Sequence, residues 1–274
     1  MTTTAAPARS TLASDVIRQV VVALSAVIAV VGSFIGSGAA GGTPIQEASG
    51  GALAADATLI APGTGAFSIW SVIYLGLLVY SVWQFLPSQR SAERQRSIGY
   101  WVAASLLLNA AWILSVQFNA LALSVPVIVA LLVVLIVAFV RARPTEPSSR
   151  VDAVITDGTI GLYLGWVCVA TAANITAALK AAGFNGWGIA PEVWSVVIIA
   201  VAGLVGVLLA MFFEGRIAPT LSLCWGLAWV AVARLADQPQ SAPTAIAAIV
   251  AVVAIIVVTA VARLRYVATE PPTA

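Results

Sequence analysis

The sequence predicts an all-α fold, a polytopic membrane helix bundle with about eight transmembrane helices. Three observations predict it. The 274 residues are 61% hydrophobic and only 9% charged, whereas a soluble domain carries about 25% charged residues. Mean hydropathy is +1.03, and eight stretches each supply the roughly 20 mostly apolar residues a crossing helix needs. The basic residues fall almost wholly on one side of that alternation.

The spans lie near 16–37, 67–86, 98–118, 121–141, 153–178, 192–213, 217–235 and 244–263. The first, "VIRQVVVALSAVIAVVGSFIG", is read as a span because its apolar core exceeds a secretory h-region and "SGAAGG" is a poor cleavage site. The second, "AFSIWSVIYLGLLVYSVWQ", places Phe67, Trp70 and Tyr74 at i, i+3 and i+7, on one helical face. The third, "YWVAASLLLNAAWILSVQFN", turns Ser105, Asn109 and Trp112 to one side. The fourth is largely aliphatic, and its Pro126 alone is a weak sign of a broken helix. The fifth carries a stripe of Thr159, Tyr163, Trp166, Ala170 and Asn174 at i, i+3/i+4 spacing. The last three carry Trp194, Trp225 and Trp229, expected as interfacial anchors. Tails 1–15 and 266–274, rich in Thr, Ala and Pro, are expected to be mobile.

With eight crossings, the termini and the even loops share one side. Of the 13 Lys and Arg residues, only Lys180 and Arg234 fall on the other. The positive-inside rule then makes both termini cytoplasmic, in a bacterial-type plasma membrane. The outer side receives a long connection, Gly38 to Ala66, free of Lys and Arg. A lid over a cavity and a slack linker are equally good readings of it.

Composition excludes several function classes. The chain has no histidine, so the commonest metal ligand and general base are missing. No catalytic residue and no metal ligand is expected, and the chain is not read as an enzyme. Net charge of +2 without a basic block gives no footprint for nucleic acid. Cys168 and Cys224 fall in apolar runs and are expected to pack as small hydrophobes. A retinal photoreceptor needs a lysine deep in a late span, but Lys180 ends the fifth. Asp157, the acidic residue inside a proposed span, is expected to be solvated or paired with Arg150.

Three spans therefore each present a face with a tryptophan, and two of those faces add an asparagine. Packing explains any one such residue better than ligand binding does, because asparagine commonly bonds across membrane helices. Three matching faces favour a shared site. Close helix contacts in membranes use small residues, so the aromatics are expected to hold the helices apart around a cavity suited to a planar apolar ligand.

"AFSIWSVIYL", "LNAAWILSVQF" and "YLGWVCVATAANIT" resemble the signature segments of the TspO/MBR family, the tryptophan-rich sensory or translocator proteins. The resemblance covers roughly Val16 to Leu179 and places the three motifs, in order, on the family's second, third and fifth helices. It implies a five-helix ligand-binding unit over 16–180, followed by a three-helix membrane extension over 190–265. Family members bind porphyrins, and in eukaryotes cholesterol and synthetic ligands, beneath the first loop. Carried over by motif, Trp70 and Tyr74, Asn109 and Trp112, and Trp166, Ala170 and Asn174 are implied pocket residues. Phe67 and Tyr163 join them from the helical faces. The chain departs from the family in "LIAPGTGAF", which has Pro62 but no tryptophan, and in Leu78 and Val79, which replace a Met-Gly pair.

The expected function is binding of a flat apolar ligand, porphyrin- or tetrapyrrole-like, for sensing or transport. The expected cofactor is at most such a tetrapyrrole. Expected partners are membrane lipid and a small apolar ligand, with a homodimer left open. The alternative is a secondary transporter of a small hydrophobic molecule, against which stands the lack of charged residues deep in spans two to four.

Overall fold

The computed structural model describes residues 13–269, so most of both tails lies outside the described residues. Eight helices are long and apolar enough to cross a membrane, and the described residues contain no strand. They are α1 (Ala13–Gly36), α2 (Ile69–Trp83), α3 (Glu93–Gln117), α4 (Leu121–Ala142), α5 (Thr159–Ala181), α6 (Pro191–Phe212), α7 (Ile217–Ala236) and α8 (Ala242–Thr269). With eight successive crossings, both ends of the described chain reach one side, here called the terminal end.

The expected boundaries shift where polar residues find partners inside the protein. Helix α3 starts at Glu93 rather than near 98 because its first turn is buried. Arg94 donates to the carbonyl of Ala142 at 2.9 Å, and Gln95 accepts from the Tyr80 hydroxyl at 2.9 Å. Ala13 to Asp15, expected in the mobile tail, begin α1, where Asp15 pairs with Arg18 at 3.3 Å and Arg96 at 2.6 Å. At the other end α8 continues through Thr269.

Helices α1 to α5 form a closed ring. α1 packs on α2 and α3, α3 on α4, α4 on α5, and α5 returns to α2. Helix α5 also packs on α7, which joins α8, and α8 covers α6. Two apolar cores result, one inside the ring and one among α5 to α8. The α5–α7 contact is close because α5 turns Gly161 and Gly165 toward it. A Cβ on Gly165 would overlap the Pro219 carbonyl and the Ser222 hydroxyl. This is the small-xxx-small logic of membrane helices, in which bare backbone maximises contact.

Helix α5 is preceded by a π-helical segment, Ala153–Gly158, and together with Arg150–Asp152 makes one continuous span. Asp157 lies in that segment. Its partners are Arg94, which donates to it, and Arg216 at 3.1 Å, which corrects the expected pairing with Arg150 or water. The carboxylate thus ties α5 to the starts of α3 and α7, a junction that hydropathy does not register.

Candidate ligand-binding site

The aromatic faces of α2, α3 and α5 meet inside the ring. Trp70 is the hub. Its ring stacks on Tyr74 (5.4 Å, 27°) and on Trp112 (6.3 Å, 26°), and meets Tyr163 (6.0 Å) and Trp166 (6.1 Å) edge-on. Phe67, in the 3₁₀ turn Thr64–Ser68 that leads into α2, meets Trp166 at 6.0 Å. Offset and edge-to-face geometries suit the ring quadrupoles. Contrary to the expectation that these rings cannot close-pack, they fill most of the space between the helices themselves.

Polar side chains lock this cluster from behind. The Trp112 indole donates to Asn174 Oδ1 at 3.2 Å, and Asn174 Nδ2 donates to the Ser124 hydroxyl at 2.9 Å. Tyr74 donates to Asn109 Oδ1 at 2.6 Å and also contacts the Ser33 hydroxyl. Tyr163 donates to the Ser105 carbonyl at 3.3 Å. Both asparagines therefore fasten helices together.

A cavity of about 40 Å³ lies between this cluster and the long connection. Phe67, Trp112, Trp166, Ala170 and Asn174 line it. Trp70, Tyr74, Asn109 and Tyr163 stand behind that lining. The wall is completed by Ala173 and Ala177 of α5, which the sequence reading passed over. Ala173 is i+3 from Ala170 and Ala177 is i+3 from Asn174, so both share the face of the Ala170–Asn174 stripe, a signal that was legible. The roof is Ala52, Leu53, Thr58, Ala61 and Pro62. Two of the lining residues carry a buried polar atom, Trp166 Nε1 and Thr58 Oγ1, with no hydrogen-bond partner among the described residues.

The roof segment is a packed lid rather than a slack linker. Ala48, Thr58, Ile60 and Ala61 are buried. Ser49 donates to the Val116 carbonyl at 2.7 Å, and its amide donates to Asn119 Oδ1 at 3.1 Å. Asn119 takes the left-handed conformation (φ 60°) that ends α3, a role its short amide side chain tolerates well. Lys180 donates to the Ala57 carbonyl at 2.5 Å.

A family model for the TSPO-like proteins matches residues 21–262. The chain belongs to the TSPO-like protein family. The match runs from within α1 to within α8, so it takes in the three C-terminal helices as well as the first five. TSPO-like proteins are generally non-enzymatic membrane proteins. No individual curated protein matches the chain, and no solved structure does.

Within this TSPO-like bundle the late tryptophans divide. Trp194 sits with Phe184 and Trp187 and donates to the Gly186 carbonyl at 3.0 Å, beside the α5–α6 connection. Trp225 and Trp229 are not simple lipid anchors as expected. Trp225 donates to the Ala66 carbonyl at 2.9 Å, and Trp229 packs against Gly63 and Gly65.

Proposed function

We propose that this TSPO-like protein binds a flat, apolar, tetrapyrrole-like ligand between α2, α3 and α5, beneath the roof, in the service of sensing or transport. The five-helix unit over 16–180 holds the ligand, and the helices over 190–265 extend it. One observation carries the reading: Trp112 and Trp166 line an apolar cavity, and two of its lining residues, Trp166 and Thr58, each keep a buried polar atom without a hydrogen-bond partner among the described residues, which supports a site whose polar groups are completed by a guest. Apolar surface with a few polar contacts is the ordinary chemistry of a small-molecule site.

The volume adds a condition. A site for such a molecule needs about 300 Å³ or more, far above the 40 Å³ available here. On this reading the conformation described is the contracted one, and entry requires the roof to lift or Phe67 and Trp70 to turn. The alanine wall of α5 offers no bulk to resist a flat guest.

Proton- or ion-coupled transport is the weaker reading. The carboxylates of Asp15, Asp152 and Asp157 lie at the terminal end, and Asp15 and Asp157 are ion-paired. The cavity lining carries no charged side chain.

A titration with protoporphyrin followed by tryptophan quenching tests the proposal. Trp166→Phe keeps an aromatic ring but removes the indole N–H, and should weaken binding by up to about tenfold. Trp194→Phe, beside the α5–α6 connection, should bind as the parent does. Equal behaviour of the two variants, or no saturable binding by the parent, would overturn the assignment.

A further inference from the structure

The roof of the cavity is held from outside the five-helix ring. Arg234, near the end of α7, is 1% exposed. Its guanidinium donates to the carbonyls of Ala55 (2.7 Å) and Thr58 (3.3 Å) in the roof, and to Pro239 (2.9 Å) in the α7–α8 turn. Two further contacts run alongside it. The Gly63 amide donates to the Trp229 carbonyl at 3.2 Å, and Trp225 donates to Ala66 at 2.9 Å. Glycine at 65 is what admits the Trp229 ring, since a Cβ there would overlap it, whereas a Cβ at Gly63 would meet the ring at 3.1 Å and need only a small shift.

The roof residue Thr58 therefore touches both partners: it lines the cavity, and its carbonyl is bound by Arg234. Lys180 also reaches a roof carbonyl, but it is exposed, so water competes for its bond. Arg234 is buried. Lifting the roof away from it would strand a desolvated guanidinium or force it into water with its helix end.

We propose that α7 is the latch of the cavity, with Arg234 as the positioning residue that holds the roof shut, so that the C-terminal helices govern opening of the site. The inference takes the cavity to be the ligand site proposed above, but its test uses no ligand. The roof, and not the five-helix ring, is then the moving part. Opening requires the Arg234 bonds and the Trp229–Gly63 contact to release together.

Amide hydrogen exchange of residues 52–61, measured on the full-length protein in lipid nanodiscs, reads the latch directly. Arg234→Gln should raise exchange there by about tenfold or more, with exchange in α3 and α5 unchanged. Arg234→Lys, which keeps a cation, should restore part of the protection. A second arm guards against simple misfolding. A Cβ built on Gly63 lies 3.6 Å from the Ala233 Cβ, within the span of a disulfide. The pair Gly63→Cys and Ala233→Cys, with Cys168 and Cys224 replaced by alanine, should slow roof exchange when oxidised and release it on reduction. Unchanged roof exchange in Arg234→Gln, or an oxidised pair that protects nothing, would overturn the latch. Failure of the parent protein to bind protoporphyrin in the separate titration, with this exchange response intact, would count against the ligand assignment alone.

Discussion

The Trp112 indole and the Asn174 amide oxygen meet at 3.2 Å on the wall of the cavity, fastening α3 to α5. Asn174 is satisfied a second time by Ser124 of α4, so a single buried side chain holds three helices in register. Asn174→Leu would leave the Trp112 N–H and the Ser124 hydroxyl without that partner. The expected cost is about 1–2 kcal/mol, the scale of a hydrogen bond between membrane helices. A double-mutant cycle with Trp112→Phe, followed by thermal unfolding in detergent, measures it. Strict additivity of the two changes would show that the contact carries no coupling.

The ion pairs at the terminal end should differ sharply in worth. Asp157 is 16% exposed and faces Arg94, which is 4% exposed, whereas Arg143 and Glu214 pair at 49% and 33% exposure. Asp157→Asn leaves the guanidinium of Arg94 with only carbonyl and hydroxyl acceptors and should cost about 3 kcal/mol. Arg143→Gln should cost less than about 1 kcal/mol. Melting temperatures of the two variants decide it, and equal losses would refute the ranking.

Ala173 tests whether the small cavity is where ligand goes. It lines the cavity together with Trp166 and the roof residues. Ala173→Leu places three more carbons into about 40 Å³, so protoporphyrin affinity should fall at least about tenfold. Overpacking should cost no more than about 1–3 kcal/mol of stability. Undiminished binding in a folded variant would move the site elsewhere.

Orientation is open to direct labelling. The side bearing only Lys180 and Arg234 should face outward, by the positive-inside rule. Thr43 and Ser88 are both exposed, on opposite sides of α2 in the chain. With Cys168 and Cys224 replaced, Thr43→Cys should react with an impermeant thiol reagent in intact cells and Ser88→Cys should react only after lysis. The reverse pattern would invert the topology.

The Asn109 and Trp112 spacing shows why the three motif faces could be read at all. Residues three and four apart share a helix face wherever the helix sits, so period and hydropathy are properties of a short window of sequence. The same reasoning found the eight helices, since twenty apolar residues have few other folded uses. What a window cannot contain is the partner. Asp157 was legible as an intramembrane acid, yet Arg94 and Arg216 lie 63 and 59 residues away. Trp225 and Trp229 were legible as aromatics of the seventh span, but their contacts with Ala66 and Gly63 were not.

By itself, then, the sequence determined the class, the helices and the aromatic faces, because each follows from local periodicity in an apolar solvent. Tertiary structure alone decided that the rings of Trp70, Trp112 and Trp166 pack on one another and leave only about 40 Å³. It also decided that the Gly38–Ala66 connection is a lid rather than a slack strand. The two basic residues left over on that side are the ones that bind its carbonyls, Lys180 at Ala57 and Arg234 at Ala55 and Thr58. Arg234 and Ala55 stand 179 residues apart, and only the packing of α7 against α5 brings that charge to those acceptors.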